Sequence, residues 1–153
     1  MALYSYSVNG TALSTTTGLL TFQTAATGAG SVIAIKELML GGEAGSSSVA
    51  RLVLNRPSAV PTGGATAQTA EKTNPASANA THVVATAYAT TQGTLSTNDV
   101  LAWSMNAFGG VVRWTALPGS EVIVGTQGAV AYAIWRSRSG TPTMSGHAVV
   151  EEL

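Results

Sequence analysis

Residues 31–42 read SVIAIKELMLGG, a run with apolar side chains at odd and even positions that is followed by two glycines. The first ten of these residues predict a buried β-strand, and the glycines at 41 and 42 predict a turn after it. In an antiparallel sandwich, one face of a strand normally meets water. Two explanations for the second apolar face stay open: a neighbouring subunit covers it, or a loop of the same chain does.

Similar short runs recur along the chain, and no sustained apolar stripe with helical spacing accompanies them. Residues 4–8, YSYSV, alternate in the strand pattern, and Asn9-Gly10 then favours a hairpin turn. Glycine and proline separate the runs, so the sequence predicts an all-β, antiparallel β-sandwich in a single domain over residues 1–153, with a jelly roll as the favoured arrangement. The other strand candidates are residues 18–23, 49–55, 82–88, 100–105, 111–116, 121–125, 129–137 and 146–151.

The longest departure from this pattern is residues 56–80, RPSAVPTGGATAQTAEKTNPASANA, a tract that we expect to form a long irregular loop. A loop of that length in a compact domain is usually a working surface or a disordered segment. Three interpretations stay open: a flexible loop, an arm that lies on a neighbouring subunit, or a recognition loop for a glycan or receptor. The prolines reduce the entropy lost on ordering, which favours the arm. Residues 1–17 form a second candidate arm.

The composition excludes several classes of function. Charged residues make up only 9% of the chain, against roughly 25% in a typical soluble domain, and seven basic residues balance seven acidic ones. Scattered Lys and Arg argue against nucleic acid or an anionic membrane as a partner. The absence of cysteine excludes disulfides and thiolate chemistry. The N-terminus does not look like a signal peptide, so we expect synthesis in the cytoplasm.

Residues that could carry catalysis or bind a metal are few and far apart. His82 and His147 begin separate strand candidates, and Glu151 would lie about 13 Å from His147 along a strand. Glu151 and Glu152 would point to opposite strand faces, so we expect them to aid solubility or contact a basic partner. No nucleophile elbow or phosphate loop is present. We therefore expect no catalytic residue, no metal site and no cofactor.

The chain is short, free of cysteine and rich in Ala, Thr, Gly and Ser, with MALYSYSVNGTALSTTTG at residues 1–18, LPGSEVIV at 117–124 and AVAYAIWRSRSGTPTMSGHAVVEEL at 129–153. In this general style it resembles the small capsid decoration, or cement, proteins of tailed bacteriophages. The resemblance implies a protein made in the host cytoplasm that assembles on the outside of the virion. It implies a homo-oligomer, typically a trimer, that bridges subunits of the major capsid protein.

We assign the contacts of such a protein by position, to the N-terminal segment and the tract. The candidate residues are Tyr4, Tyr6, Arg56, Pro57, Pro61, Glu71, Lys72, Asn74 and Pro75. Arginine pairs well with carboxylates across interfaces, which adds four further candidates: Arg51, Arg113, Arg136 and Arg138.

The alternative function is a carbohydrate-binding or receptor-binding module of a phage tail or surface fibre. Jelly rolls also serve as lectins, so the fold does not separate the two functions. Phe108 and Trp114, near Asn106, are the candidate aromatic site of such a module. The large apolar areas of Trp103, Trp114 and Trp135 nevertheless favour a place in the core.

Overall fold

A computed structural model describes residues 1–13, 18–24, 32–59, 61–63, 65–88, 94–125 and 132–153. Every regular element in these residues is a β-strand, and they contain no helix long and apolar enough to cross a membrane. The strands are β1 (Ala2–Ala12), β2 (Gly18–Gln23), β3 (Ile33–Glu43), β4 (Val49–Pro57), β5 (Ala65–Ala67), β6 (Glu71–Lys72), β7 (Val83–Tyr88), β8 (Leu95–Asn106), β9 (Phe108–Thr115), β10 (Val122–Val124), β11 (Tyr132–Ser139) and β12 (Thr143–Glu152).

These strands form two antiparallel sheets packed around one core. The first sheet has the order β10-β3-β12-β1-β6, with β9 also paired to β3, and the second has the order β5-β7-β2-β11-β4-β8. When β5, β6, β7 and β10 are set aside, the eight remaining strands run 1-8-3-6 in the first sheet and 2-7-4-5 in the second. This is the connectivity of a jelly roll, and the predicted antiparallel sandwich is confirmed.

Side chains that alternate along the strands fill the space between the sheets. Tyr4 and Tyr6 of β1 are buried because period-2 alternation places both on the inward face. Trp135 is fully buried, and its ring centroid lies 6.5 Å from that of Trp103. Trp103 and Trp114 are half-buried against the same core. The predicted core position is therefore confirmed for Trp135, while the other two tryptophans lie at the margin of the core.

The run from residue 32 to 40 has different surroundings on its two faces. Its inward side chains belong to the core: Ile33, Ile35, Leu38 and Leu40. On the outward face, Ala34 is buried, whereas Met39 is 41% exposed. The chain itself therefore covers one end of this outer face and leaves the other end open.

β1 does not turn at Asn9-Gly10, where the sequence predicted a hairpin. The strand continues to Ala12 and pairs with β12 on both sides of a bulge between Val8 and Thr11. Gly10 has a φ of 56°, which glycine adopts without the penalty that a Cβ imposes. Because residues 2–12 belong to the first sheet, they do not form the predicted arm; residues 14–17 lie outside the described residues.

The predicted turn at Gly41-Gly42 is also wrong, since both glycines lie inside β3. A Cβ on Gly42 would lie 2.3 Å from the carbonyl oxygen of Ala107, in the link between β8 and β9. That carbonyl accepts a hydrogen bond from the Ala44 N–H at 2.9 Å. Glycine at position 42 therefore permits the close approach of two backbones rather than a turn.

The tract at residues 56–80 contains two short strands where the sequence predicted an irregular loop. β5 pairs with β7 in the second sheet, and β6 pairs with β1 in the first. The Gln68 N–H also donates to the Val84 carbonyl at 2.7 Å, and the Thr73 N–H donates to the Leu3 carbonyl at 3.1 Å. The tract thus passes from one sheet to the other and is bonded to its own chain; Val60 and Gly64 lie outside the described residues.

Candidate partner-binding surface

On one side of the sandwich, both sheets end in strands that have no further neighbour among the described residues. These strands are β8 in the second sheet and β9 and β10 in the first, and we call this the β8–β9 side. The corner between β8 and β9 is fixed at Ala107, whose N–H donates to the Ser48 carbonyl at 2.8 Å. Asn106 Oδ1 accepts the Phe108 N–H at 2.9 Å. These bonds hold the corner where the chain changes sheet.

Exposed apolar side chains concentrate on this side. Three of them flank the link between β8 and β9, and we call these three the apolar corner. Val49, on the outward face of the second sheet, is 79% exposed and is paired with Asn106, while Phe108 and Val111, on β9 of the first sheet, are 58% and 68% exposed. An open edge strand with exposed apolar side chains offers another chain both backbone hydrogen bonds and apolar contact. Six of the ten large apolar side chains exposed in the described residues lie on these three strands or directly beside them: Val49, Val100, Phe108, Val111, Leu117 and Ile123.

The charged side chains of β8 and β9 themselves, Asp99 and Arg113, form ion pairs within the chain. Arg113 donates from Nε and Nη2 to the two carboxylate oxygens of Glu37, both at 2.9 Å. Arg138 Nη2 donates to Asp99 Oδ1 at 2.5 Å. Exposed pairs of this kind add little to stability, but they leave neither Asp99 nor Arg113 as an unpaired charge on the two strands.

Lys36 of β3 forms ion pairs with two carboxylates. Its Nζ lies 2.8 Å from Glu121 Oε1 and 2.9 Å from Glu151 Oε2. The hydrogen bond from Lys36 lowers the pKa of Glu121, and the bonds to both carboxylates raise the pKa of Lys36. Glu151 therefore contacts a basic group of its own chain, whereas the sequence suggested solubility or a basic partner.

The buried amide of Asn55 sets the position of β8. Its Nδ2 donates to the Asn98 carbonyl at 2.9 Å and to Asp99 Oδ1 at 2.8 Å, and its Oδ1 accepts the Ser96 N–H at 2.9 Å. The register between β4 and β8 shifts at this point, which leaves Val100 without an opposite residue. A buried polar group thus fixes a bulge on the β8–β9 side.

Tyr4 and Tyr6 lie in the core, so the prediction that they contact a partner is wrong. The Tyr4 hydroxyl donates to the Ala78 carbonyl at 3.0 Å, and the Tyr6 hydroxyl lies 2.7 Å from His82 Nε2. The His82 ring meets both tyrosine rings edge to face, with centroids 5.1 Å and 5.7 Å away. Burial raises the pKa of each tyrosine and keeps both phenols neutral.

Glu152 closes this cluster at the end of the tract. Its Oε1 lies 3.5 Å from His82 Nδ1, and it accepts the Thr81 N–H at 3.0 Å and the Thr81 hydroxyl. Burial lowers the pKa of His82, although the Glu152 carboxylate acts in the opposite direction. Burial raises the pKa of Glu152, but the bonds from Thr81 and the nearby His82 together outweigh it, and the net shift of the pKa is downward.

The sequence of a carboxylate, an imidazole and a hydroxyl in Glu152, His82 and Tyr6 resembles a catalytic triad, but a substrate could not reach the buried hydroxyl. Tyr6 is 2% exposed and His82 is 5% exposed, so both polar groups face each other inside the core. The cluster joins the end of the tract to β1 and β12. Its geometry is that of an internal anchor.

Three other predicted contact residues are held within the fold. Pro57 and Pro61 are buried, and Arg56 is half-buried. Arg56 Nη2 donates to the Ile123 carbonyl at 2.5 Å, which joins the second sheet to β10.

The four remaining predicted residues lie at the surface, in β6 and the turn that follows it. Glu71, Asn74 and Pro75 are exposed, and Lys72 is half-buried. Asn74 shapes the turn, since its Oδ1 accepts the Ala76 N–H at 3.0 Å and its carbonyl accepts the Ser77 N–H at 2.9 Å. These residues lie at the end of the first sheet that is opposite β9.

The arginines proposed as interface candidates do not share one surface. Arg51 is exposed on β4, Arg113 and Arg138 bind carboxylates of the same chain, and Arg136 is 5% exposed. Burial lowers the pKa of Arg136. The sequence reasoning missed Val49 and Val111, although the alternation of GGVVRWT at 109–115 already places Val111 and Arg113 on one face.

Phe108 and Trp114 do not form one aromatic site. They are six positions apart in β9, about 20 Å along a strand, and Phe108 is exposed whereas Trp114 packs against the core. The described residues contain no group of three His, Asp or Glu side chains that could hold a metal ion. No family model, curated protein or solved structure matches this chain.

Proposed function

We propose that this chain is a structural virion protein that decorates the outside of an icosahedral phage capsid as a homotrimer and cements neighbouring subunits of the major capsid protein. The observation that carries the proposal is the apolar corner, Val49, Phe108 and Val111, beside long open strand edges. Sandwich proteins that remain monomeric usually protect such edges, so we expect a second protein surface to cover this one. The resemblance of the sequence to capsid decoration proteins supports the choice of partner.

Two surfaces serve two contacts in this proposal. The apolar corner joins copies of the chain, because permanent interfaces between identical subunits are more apolar than transient ones. The exposed residues of β6 and its turn, Glu71, Asn74 and Pro75, contact the capsid. A polar surface of this kind suits a contact that forms after both partners have folded.

Cementing would follow from mass action. A protein that binds only the assembled lattice stabilises that lattice relative to its dissociated subunits. A trimer presents the same weak contact three times, and the repetition increases its avidity. The formal net charge of zero limits the repulsion between copies crowded on one shell.

The trimer is tested by measuring native mass with light scattering after size exclusion. We expect three times 15.4 kDa for the wild type and one chain mass for Val111→Lys, because an interface lysine would bury an unpaired charge. Thr66→Lys is the matched control, since Thr66 is exposed on β5, on the other side of the sandwich. A wild-type protein that stays monomeric at high concentration contradicts the trimer.

The capsid contact is tested by sedimenting the protein with purified heads of the phage whose genome encodes it. We expect the protein to sediment with the heads and to raise the temperature at which they melt in calorimetry. Glu71→Lys combined with Asn74→Lys should weaken this binding and leave the native mass unchanged. Heads that neither bind the protein nor gain thermal stability would refute the proposed function.

A further inference from the structure

A cleft of about 590 Å³ opens between the two sheets on the β8–β9 side, at the end away from the apolar corner. Its volume lies within the range of small-molecule sites. One wall carries Arg56 and Val100 from the second sheet, and the other carries Trp114, Ser120, Glu121 and Ile123 from the first sheet and the segment that leads into β10.

The walls of the cleft are braced from both sheets. Arg56 reaches across the gap to the Ile123 carbonyl. The β8 bulge that Asn55 fixes directs Val100 to the cleft, and bulges often re-aim a side chain beside a binding site. Glu121 is bound to Lys36, which keeps its carboxylate ionised. The polar groups are therefore in place before any ligand arrives.

Apolar and polar side chains both line the cleft. Trp114 packs against the core and also lines the cleft, so part of its indole is available as an apolar surface. Val100 and Ile123 are 38% and 39% exposed beside it. Arg56 and Glu121 supply a cation and an anion in the same space.

This combination selects among ligand classes. A guanidinium only donates hydrogen bonds and an ionised carboxylate only accepts them, whereas a hydroxyl does both. An anionic ligand would gain from Arg56 but be repelled by Glu121, and a cationic ligand would meet the reverse. A neutral ring with several hydroxyls and an apolar face satisfies the cation, the anion and the indole together.

We propose that this cleft binds a neutral saccharide, with one sugar ring on Trp114 and its hydroxyls shared between Arg56 and Glu121. The site goes beyond capsid decoration, because it would give the particle a second, carbohydrate-directed contact. It lies between the sheets, whereas the apolar corner flanks the link between β8 and β9. One chain can therefore carry both surfaces.

Titration by calorimetry and by ligand-observed NMR tests the site, with neutral glucose-, galactose- and N-acetylglucosamine-based oligosaccharides as probes. We expect at least one probe to bind the wild type. Glu121→Gln should weaken that binding about tenfold, since a hydrogen bond to a charged group is lost. Trp114→Phe, which keeps an aromatic ring in the core, should weaken it less. Glu37→Gln is the control, because Glu37 binds Arg113 outside the cleft.

The outcomes separate this site from the proposed function. Binding of a neutral probe that falls in Glu121→Gln and persists in Glu37→Gln, with an unchanged native mass, supports the cleft whether or not the capsid is a partner. No binding of any probe at 10 millimolar, or binding that Glu121→Gln leaves unchanged, overturns it. Binding of inorganic phosphate in place of the neutral sugars also overturns it.

Discussion

The two sides of the sandwich end in opposite ways. On the tract side, β5 and β6 have three and two residues, and Glu71, Lys72 and Pro75 lie in or beside the edge. On the β8–β9 side, β8 and β9 have twelve and eight residues, and their charged groups are paired within the chain. Short, charged edges discourage pairing with another chain, whereas long neutral edges invite it. The segment that looks like a loop therefore closes the sandwich, and two ordinary strands leave it open.

The means of attachment also differ between the two sides. The tract has few large apolar side chains, so it is held by backbone bonds and by the buried cluster of Tyr4, Tyr6, His82 and Glu152. The β8–β9 side is held by the Asn55 amide and by close backbone contact at Gly42. Single substitutions can remove each attachment separately, and the loss in the free energy of unfolding then measures its contribution.

Asn55→Ala should have the largest effect. It removes the partner of the Ser96 N–H and of the Asn98 carbonyl, and each buried group left unpaired costs about 1–3 kcal/mol. We expect the free energy of unfolding, measured in urea, to fall by roughly 3 kcal/mol. Asn98→Ala alters an exposed side chain and should change it by less than about 0.5 kcal/mol. Similar losses in both variants would show that the amide does not fix β8.

Gly42→Ala should come next, because it disturbs the corner rather than a whole strand. The new Cβ would lie 2.3 Å from the Ala107 carbonyl oxygen, so the backbone must shift at a cost of about 2 kcal/mol. Gly41→Ala is the matched control, since no atom lies within 4 Å of its Cβ position. Thermal unfolding of the two variants compares them directly. Equal melting temperatures would mean that the corner tolerates the added methyl group.

The alternation of apolar residues predicted most of the strands, because period-2 patterning directly reflects which face is buried. It could not predict β5 and β6, since these strands are too short to show a period and are formed by backbone bonds to β7 and β1. Because the tract shows no strand period, the sequence also predicts the contact surface there rather than on β8 and β9. Tyr6 shows the limit most clearly, because its inward position follows from alternation but its partner, His82, is 76 residues away.

Tyr6→Phe tests the anchor of the tract side. Loss of the hydroxyl leaves His82 Nε2 without its partner and should lower the free energy of unfolding by about 1 kcal/mol. Chemical denaturation at pH 8 measures this difference. Tyr4→Phe is a useful companion, because its hydroxyl bonds a backbone carbonyl instead of His82. If the loss in Tyr6→Phe is absent, the cluster is not the anchor.

The same cluster predicts how stability depends on pH. Burial lowers the pKa of His82 in the folded state below its ordinary value of 6.5. As the pH falls through 6.5, His82 therefore takes up a proton in the unfolded chain before it does so in the folded chain. The His82 contribution is therefore present above pH 6.5 and declines below it. Tyr4, Tyr6 and Glu152 face the ring; the tyrosines stay neutral in this range, and the carboxylate stays ionised. In His82→Gln, the free energy of unfolding should therefore change less between pH 8 and pH 5.5 than in the wild type. An unchanged pH dependence would mean that other groups cause it.

Glu71→Ala should have the smallest effect. It tests whether this exposed side chain contributes to the stability of the fold. Its side chain is exposed, and β6 pairs with β1 through the backbone, so the free energy of unfolding should change by less than about 0.5 kcal/mol. The native mass should also stay the same, whereas Val111→Lys should alter the mass at little cost in stability. A loss of stability in Glu71→Ala would show that the side chain itself holds β6 in place. The tract side would then be closed by its charges as well as by its backbone.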